Sequence, residues 1–329
     1  MLNIQDIKSQ FSGLSVLVVG DYYLDRDCVG EYLGYSREKE SLPIFRISQV
    51  DYKPGGAGNL ASNFAALGVR TKIAGVWGDS EDWNRVILES GLNIRGIDTT
   101  GMVTGARTPT FEKYFFLSGH HVWRTDVVSE GIERETESKL SRALESLLDD
   151  VQFIVVADYD DRDKGVCTDG VLEIISGCNK TKFGTSRERV MRFRDYDYLV
   201  LNRKELGGED INSQTARLLH ETRTNTAVIT LAGRGSDAFS FKKNHQAELP
   251  GPECLEKTET LTKELTGEID SCGCGDTFLA ILSSCAMAGY DLKESMKMAN
   301  SGARSVARKL YGAHCTTFEE IETEYSELY

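Results

Sequence analysis

The sequence predicts an α/β fold, with a mostly parallel sheet, helices on both of its faces and a small second β-sheet. Three observations carry this. Short apolar runs recur along the chain and alternate with helix-period segments. The runs are apolar at nearly every position, which suits strands covered on both faces. Two aromatic and β-branched ribbons in the N-terminal half stand outside the alternation.

In chain order, residues 16–21 (Val-Leu-Val-Val-Gly-Asp) read as a buried strand ending in glycine and acid. Residues 44–53 read as the first ribbon. Residues 59–67 form a helix that stops at Gly68. Residues 72–77 are a second buried strand, and 110–126 the second ribbon, with His120 and His121 as surface residues of its turn. The helix over 134–148 carries Leu140, Leu144, Leu147 and Leu148 on one face. Strands follow at 153–157, 198–201 and 227–231. The span 277–288 is almost wholly apolar, a buried helix stopping at Gly289. A last long helix over 292–310 aligns Met296, Ala299, Ala303, Val306 and Leu310. No repeat, low-complexity tract or linker splits the chain, so residues 1–329 are expected to form one domain. Ligands in such sheets bind beyond the carboxyl ends of the strands, where Asp21, Asp158 and Asn202 fall.

Composition narrows the function. A formal charge of −13 without a basic stripe excludes wrapping nucleic acid. No apolar run approaches the ~20 residues of a membrane span, and the mixed polar N-terminus lacks a signal-peptide core. The expected location is the cytoplasm. Eight cysteines occur without paired Cys-x-x-Cys spacing, so they read as thiols rather than zinc ligands. Cys272 and Cys274 read as small residues filling a glycine turn, ahead of a metal or redox role.

The most informative segment is Ile269-Asp270-Ser271-Cys272-Gly273-Cys274-Gly275-Asp276-Thr277-Phe278. A tight glycine turn lets backbone N–H groups converge on an anion, and the helix behind it adds unpaired donors and the positive end of its dipole. A carboxylate beside a phosphate is repelled by it, so the presence of Asp276 suggests that it accepts the proton of a hydroxyl attacking a phosphoryl group. The competing reading is an ordinary turn with a helix N-cap. Pro54-Gly55-Gly56-Ala57-Gly58-Asn59 is a second glycine turn leading into a helix. Its glycines let a ligand approach the backbone, and Asn59 either caps the helix or binds a sugar hydroxyl. Asn202 and Glu205 lie three apart at a helix start, as a capping box or as a carboxylate for hydrated Mg²⁺.

The order of these motifs resembles the ribokinase-like (PfkB) carbohydrate kinases, from about residue 16 to 320. The family's Asp-Thr-x-Gly-Ala-Gly-Asp-Thr appears here as Asp270-Ser271-Cys272-Gly273-Cys274-Gly275-Asp276-Thr277. Both departures keep a small side chain. Within the family the likeness is to D-glycero-D-manno-heptose 7-phosphate kinases, the kinase half of a bifunctional enzyme. It rests on Gly20-Asp21-Tyr22-Tyr23-Leu24-Asp25-Arg26, the Pro54 to Asn59 turn, Lys113 with Arg124-Thr125-Asp126, and Ala157-Asp158-Tyr159 followed by Lys164-Gly165. One departure stands out. The family's Asp-Pro-Lys-Gly run is replaced by Phe183-Gly184-Thr185-Ser186-Arg187, with Arg187 a candidate substitute cation.

The resemblance implies a three-layer sandwich with a small β-sheet lid at about 28–53 and 108–127, ATP with Mg²⁺, and in some relatives a monovalent cation. It implies heptose 7-phosphate as substrate and the 1,7-bisphosphate as product; another sugar or sugar phosphate, or a non-catalytic sugar- or nucleotide-binding regulator, is the alternative. A dinucleotide oxidoreductase is disfavoured, because no Gly-x-Gly-x-x-Gly turn follows the first strand. Asp276 would be the base, its pKa held low by the helix N-terminus. Gly273, Cys274 and Gly275 would donate backbone N–H groups to the transferred phosphoryl. Glu205 would hold Mg²⁺ through water, with Asn202 near the phosphates. Gly233 and Gly235 would pack the nucleotide, and Asn300 would lie beside adenine or else on an exposed helix face. Asp21, Asp25, Gly55, Gly56, Asn59 and Asp158 would line the sugar, unless Asp25 only pairs with Arg26. Lys113 and Arg124 would hold the substrate phosphate or stand as solvated lid charges. A sticky lid face suggests a homodimer.

Overall fold

The structure is a computed structural model that describes residues 4–39, 41–105, 107–128, 131–159, 164–208, 210–242 and 251–329. Helix α1 (Ile4–Ser12) leads into β1 (Ser15–Gly20), and β2 (Tyr22–Tyr35) with β3 (Pro43–Gly56) forms a long ribbon. Then come α2 (Ala57–Ala66), β4 (Arg70–Trp77), α3 (Trp83–Ile94), β5 (Asp98–Thr104), β6 (Thr110–Phe116) and β7 (His121–Val127). The central part holds α4 (Arg134–Leu147), β8 (Phe153–Asp158), α5 (Asp169–Gly177), β9 (Thr181–Ser186), β10 (Tyr198–Asn202) and α6 (Arg203–Leu206). The chain continues with α7 (Ile211–Thr222), β11 (Thr226–Thr230), β12 (Gly235–Phe241), β13 (Leu255–Leu261), α8 (Cys274–Met287), α9 (Leu292–Ala307) and α10 (Phe318–Leu328).

The large sheet runs β13-β12-β11-β10-β9-β8-β1-β4-β5. It is parallel from β11 through β5, and β12 and β13 close one edge antiparallel. Successive strand residues point to opposite faces. Val16 and Val18 therefore enter the core under α2 and α8, while Leu17 and Val19 enter the one under α4, α5 and α7. Each such side chain, fully buried, contributes about 1.5–3 kcal/mol. That is why β1 needs no polar face.

The small sheet runs β3-β2-β6-β7. Its strand β2 starts at Tyr22, earlier than the expected lid, so Asp25 and Asp27 stand on this sheet rather than in a loop. Several elements give no apolar run in the sequence. Strand β9 reads Thr-Lys-Phe-Gly-Thr-Ser and β13 reads Leu-Glu-Lys-Thr-Glu-Thr-Leu. The first is placed by parallel pairing to β8, and the second is an edge strand whose charges suit solvent. The last long helix ends at Ala307, three residues before the expected stop. Among the described residues no helix is long and apolar enough to cross a membrane.

Candidate active site

Two helix starts meet at the site. Asn59 is the third residue of α2 and Asp276 the third of α8. Asn59 Nδ2 donates to Asp276 Oδ2 at 2.6 Å. One turn further along α2, Asn63 Oδ1 accepts from Thr277 Oγ1 at 2.8 Å, which locks the two helices in register. Asp276 Oδ1 accepts a short hydrogen bond from the Tyr159 hydroxyl. Burial pushes the Asp276 carboxyl above its ordinary value; the Tyr159 and Asn59 hydrogen bonds and the Arg187 charge oppose this. The expectation of a lowered value is thus corrected. The helix start does not compensate for taking the carboxylate out of water.

Gly273 caps α8 with φ 80°, a left-handed conformation. A Cβ there would stand 2.9 Å from Asn59 Nδ2 and 3.0 Å from Ala313 Cβ, so glycine lets the turn lie against α2. The Cys274 N–H turns back to the Ser271 carbonyl at 3.3 Å. Among the described residues no backbone acceptor engages the N–H groups of Gly273, Gly275 or Asp276. The open donors are therefore these three, with Cys274 committed to the turn itself.

Beside Asp276 lies a pocket of about 560 Å³, lined by Asp21, Tyr23, Tyr159, Phe111 and five basic side chains. The bases are Arg107, Arg124, Lys139, Lys164 and Arg187. Four carboxylates, Asp21, Asp126, Glu133 and Glu135, share the lining, and Lys139 bonds Glu135 at 2.8 Å. Arg124 lies over the Phe111 ring at 4.9 Å and bonds Asp126 at 2.7 Å. Arg187 lies over the Tyr159 ring at 5.3 Å. Burial alone would lower its pKa, but Tyr23, Tyr159, Asp276 and Glu205 around it hold it above its ordinary value. The cation in place of the family's Asp-Pro-Lys-Gly run thus faces both the pocket and Asp276.

Several expected site residues do other work. Asp158 is 1% exposed; it accepts from Ser186 Oγ at 2.7 Å and is paired with Arg189. It anchors the segment that presents Arg187 and does not line the pocket, because a buried carboxylate must be paired. Lys113 opposes Arg124 across β6 and β7, yet its ammonium is turned to other partners. Its ammonium is buried, bonds Asp25 Oδ2 at 2.7 Å and lies 3.6 Å from Cys272 Sγ in the glycine turn before α8. Burial alone would lower the Lys113 pKa; Asp25, Cys272 and Asp27 outweigh it. Asp25 therefore pairs with Lys113, while Arg26 pairs with Glu112 at 2.5 Å. Gly55 and Gly56 admit β2: a Cβ at Gly55 would meet Tyr23 at 2.7 Å, and one at Gly56 would meet the Asp21 carbonyl at 2.5 Å. Asp21 lines the pocket, with its carboxylate accepting from the N–H groups of Tyr159 at 2.9 Å and Val166 at 2.7 Å.

At the start of α6, Asn202 and Glu205 form a capping box that uses Glu205 Oε2. Burial raises the Glu205 carboxyl, with the Arg187 charge opposing and the Asp276 charge adding to it. Gly235 is required by pairing, since a Cβ would stand 2.0 Å from the Thr260 carbonyl oxygen; at Gly233 one would stand 3.3 Å from Glu264 Cγ. Asn300 is neither exposed nor open: it is 6% exposed and donates to Ser236 Oγ and Thr260 Oγ1 at 3.2 and 2.8 Å. The sequence pattern assigns no role to Tyr159, and none to Asn63. Tyr159 had a signal, its place just beyond a buried strand. Arg107 and Lys139 had none, as isolated charges in polar stretches.

Residues 15–317 match the family described as pfkB family carbohydrate kinase. The chain belongs to that family. It is 27% identical over 321 residues to the bifunctional protein HldE of Shewanella amazonensis, covering 95% of this chain and 64% of the relative. The HldE of Syntrophotalea carbinolica is 26% identical over 339 residues, covering 97% and 64%. The chain thus spans just under two thirds of the length of these relatives. Phosphofructokinase-2 from Escherichia coli, in complex with substrates and products, superposes with a TM-score of 0.74 at 12% identity, covering 96% of this chain and 99% of that one. Ribokinase from Arabidopsis thaliana, complexed with ribose and ATP, gives 0.67 at 15%, covering 95% and 98%. The fold is ribokinase-like, and the family makes this chain a phosphotransferase with a sugar hydroxyl as acceptor.

Proposed function

We propose that this kinase uses ATP to phosphorylate a hydroxyl of a sugar phosphate, with heptose 7-phosphate as substrate and the 1,7-bisphosphate as product. The observation that carries this is the juxtaposition of Asp276, at the start of α8, with a pocket holding five basic side chains. Arg124 and Arg187, each held over an aromatic ring of that pocket, are the cations offered to a substrate phosphate. The heptose assignment draws on the motif resemblance and on the HldE relatives.

In this reading Asp276 takes the proton of the attacking hydroxyl while the hydroxyl oxygen bonds the phosphorus and ADP leaves. The N–H groups of Gly273, Gly275 and Asp276 stabilise the charge on the transferred group. Lys113 serves the transfer end of the site rather than the substrate phosphate, since it touches Cys272 of the anion turn. Asp25 Oδ1, buried and without a donor among the described residues, is an acceptor for a sugar hydroxyl. Among the described residues no cluster of three His, Cys, Asp or Glu forms a metal cage. Mg²⁺ would be held through water by Glu205, whose Oε1 the capping box leaves over, and would neutralise phosphate charge. The small sheet acts as lid, and its exposed Tyr32, Ile47, Val50 and Tyr52, on one face of the β2–β3 ribbon, offer a surface for a second copy. A monomeric mass by sedimentation at micromolar concentration would remove the dimer.

The test is ADP release across heptose 7-phosphate, fructose phosphates and neutral sugars, with Arg124→Ala alongside. Losing a charge-assisted bond to phosphate costs about 1.5–3 kcal/mol, so KM for the sugar phosphate rises about 10- to 100-fold. The KM of any neutral sugar stays put. Turnover confined to neutral sugars would sink the sugar-phosphate reading.

A further inference from the structure

Both carboxylate oxygens of Asp276 are held in the free protein, Oδ2 by Asn59 and Oδ1 by Tyr159. The two holders differ. Asn59 belongs to the helix that packs on α8, and its amide doubles as a spacer for the anion turn. Tyr159 comes from the opposite wall, just past β8, and lines the sugar pocket. Its ring is fixed on two sides, by Arg187 at 5.3 Å and edge-on by Tyr23 at 6.5 Å. Its backbone is fixed as well, through the hydrogen bond from Tyr159 N to Asp21 Oδ2. A ring this constrained delivers its hydroxyl to one place, and that place is the base.

We propose that Tyr159 is a positioning residue for phosphoryl transfer: its hydroxyl orients the Asp276 carboxylate and favours its ionised form, leaving a lone pair of Oδ1 for the acceptor hydroxyl of the sugar. The proposal rests on Asp276 being the base. Its physics is direct. A hydrogen bond donated to a carboxylate favours the charged form, against the burial that disfavours it. Burial and the Asp276 charge hold the Tyr159 phenol far above its ordinary value, so it remains a donor at working pH. The other groups that face Asp276 are Arg187 beyond β9, Glu205 on α6, Tyr23 and Asp25 on β2, and the thiols of Cys274 and Cys315. Of these only Arg187 is a cation. Tyr159, Asn59 and Arg187 are therefore the three groups that keep the base charged.

The test is the pH profile of kcat/KM, which reports ionisations of the free enzyme. In Tyr159→Phe the acid limb moves to higher pH by about one unit, because one donor to the carboxylate is lost. The plateau falls about tenfold as the carboxylate loses its fixed orientation. Site-specific fluorotyrosine at 159 keeps the ring and the hydroxyl but is a stronger donor; it moves the limb below wild type. Substrate-phosphate ionisation, near pH 6, contributes equally in every variant, so only differences are read. A limb at the wild-type position in both variants overturns the proposal even if the plateau drops, since a purely packing role would do only that. If Tyr159→Phe does not fold, the fluorotyrosine profile alone decides. Asp276→Asn is the separate control. Full turnover there would remove the base itself, whereas an inactive Asp276→Asn with unmoved Tyr159 limbs would remove only the positioning role.

Discussion

Asp276→Asn lowers kcat by about 10²–10⁴-fold, the contribution typical of general base catalysis, while KM for ATP changes little. The side chain keeps its shape, so binding groups stay in place and only proton acceptance is lost. The same substitution should not destabilise the protein at neutral pH. Burial raises the folded pKa of Asp276 above its ordinary value. Its ionisation therefore opposes folding: the cost is absent below the ordinary value, grows as pH rises towards the raised one, and is fully present above it. Asparagine removes that cost. Thermal melts at pH 7 should show an unchanged or higher midpoint alongside the kinetic loss. A lower midpoint with proportionate loss of activity would mean that Asp276 matters for folding rather than for chemistry. In the wild type, kcat/KM should fall with decreasing pH through a value above that of an ordinary aspartate.

Gly273→Val is the second large effect. Its φ of 80° is a conformation that costs a side-chain-bearing residue about 1–2 kcal/mol, and more when β-branched. The new Cβ would also press on Asn59 Nδ2 at 2.9 Å and Ala313 at 3.0 Å. Displacing the turn moves the open N–H groups and breaks the Asn59 contact with Asp276. The kcat should fall about 10²–10³-fold, the usual result of losing an anion-stabilising donor. Gly275→Ala separates space from strain. A Cβ there meets nothing within 4 Å and the backbone is helical, so stability should hold. Any rise in its KM for ATP would place the phosphates against that position. Equal stability for Gly273→Val and the wild type would contradict the strain argument.

Much of this architecture is legible in one dimension. The buried strands at β1, β8, β10 and β11 announce themselves as apolar runs, because both faces of the sheet are covered. Helix α8 is legible because it is apolar on every side. Asp276 and Gly273 stand out because glycine and acid before an apolar helix can form an anion turn, although an ordinary N-cap uses the same residues. What fails to show is what depends on partners. Strand β9 and edge strand β13 carry few apolar residues, and only their neighbours make them strands.

Lys113, Asp25, Asp158 and Asn300, whose roles change, share one property: they are charged or polar, and they are buried. Nothing along the chain says that Lys113 will bond Asp25, that Asp158 will hold Arg189, or that Asn300 will meet Ser236 and Thr260. Local sequence determined the apolar strands, the helix starts and the glycine turn before α8, since backbone geometry and apolar burial act over a few residues. Tertiary structure alone decided which cations face the pocket and which hydroxyl meets Asp276. A buried charge takes the nearest opposite charge in space, and that neighbour is 88 residues away for Lys113; the hydroxyl that meets Asp276 comes from 117 residues away.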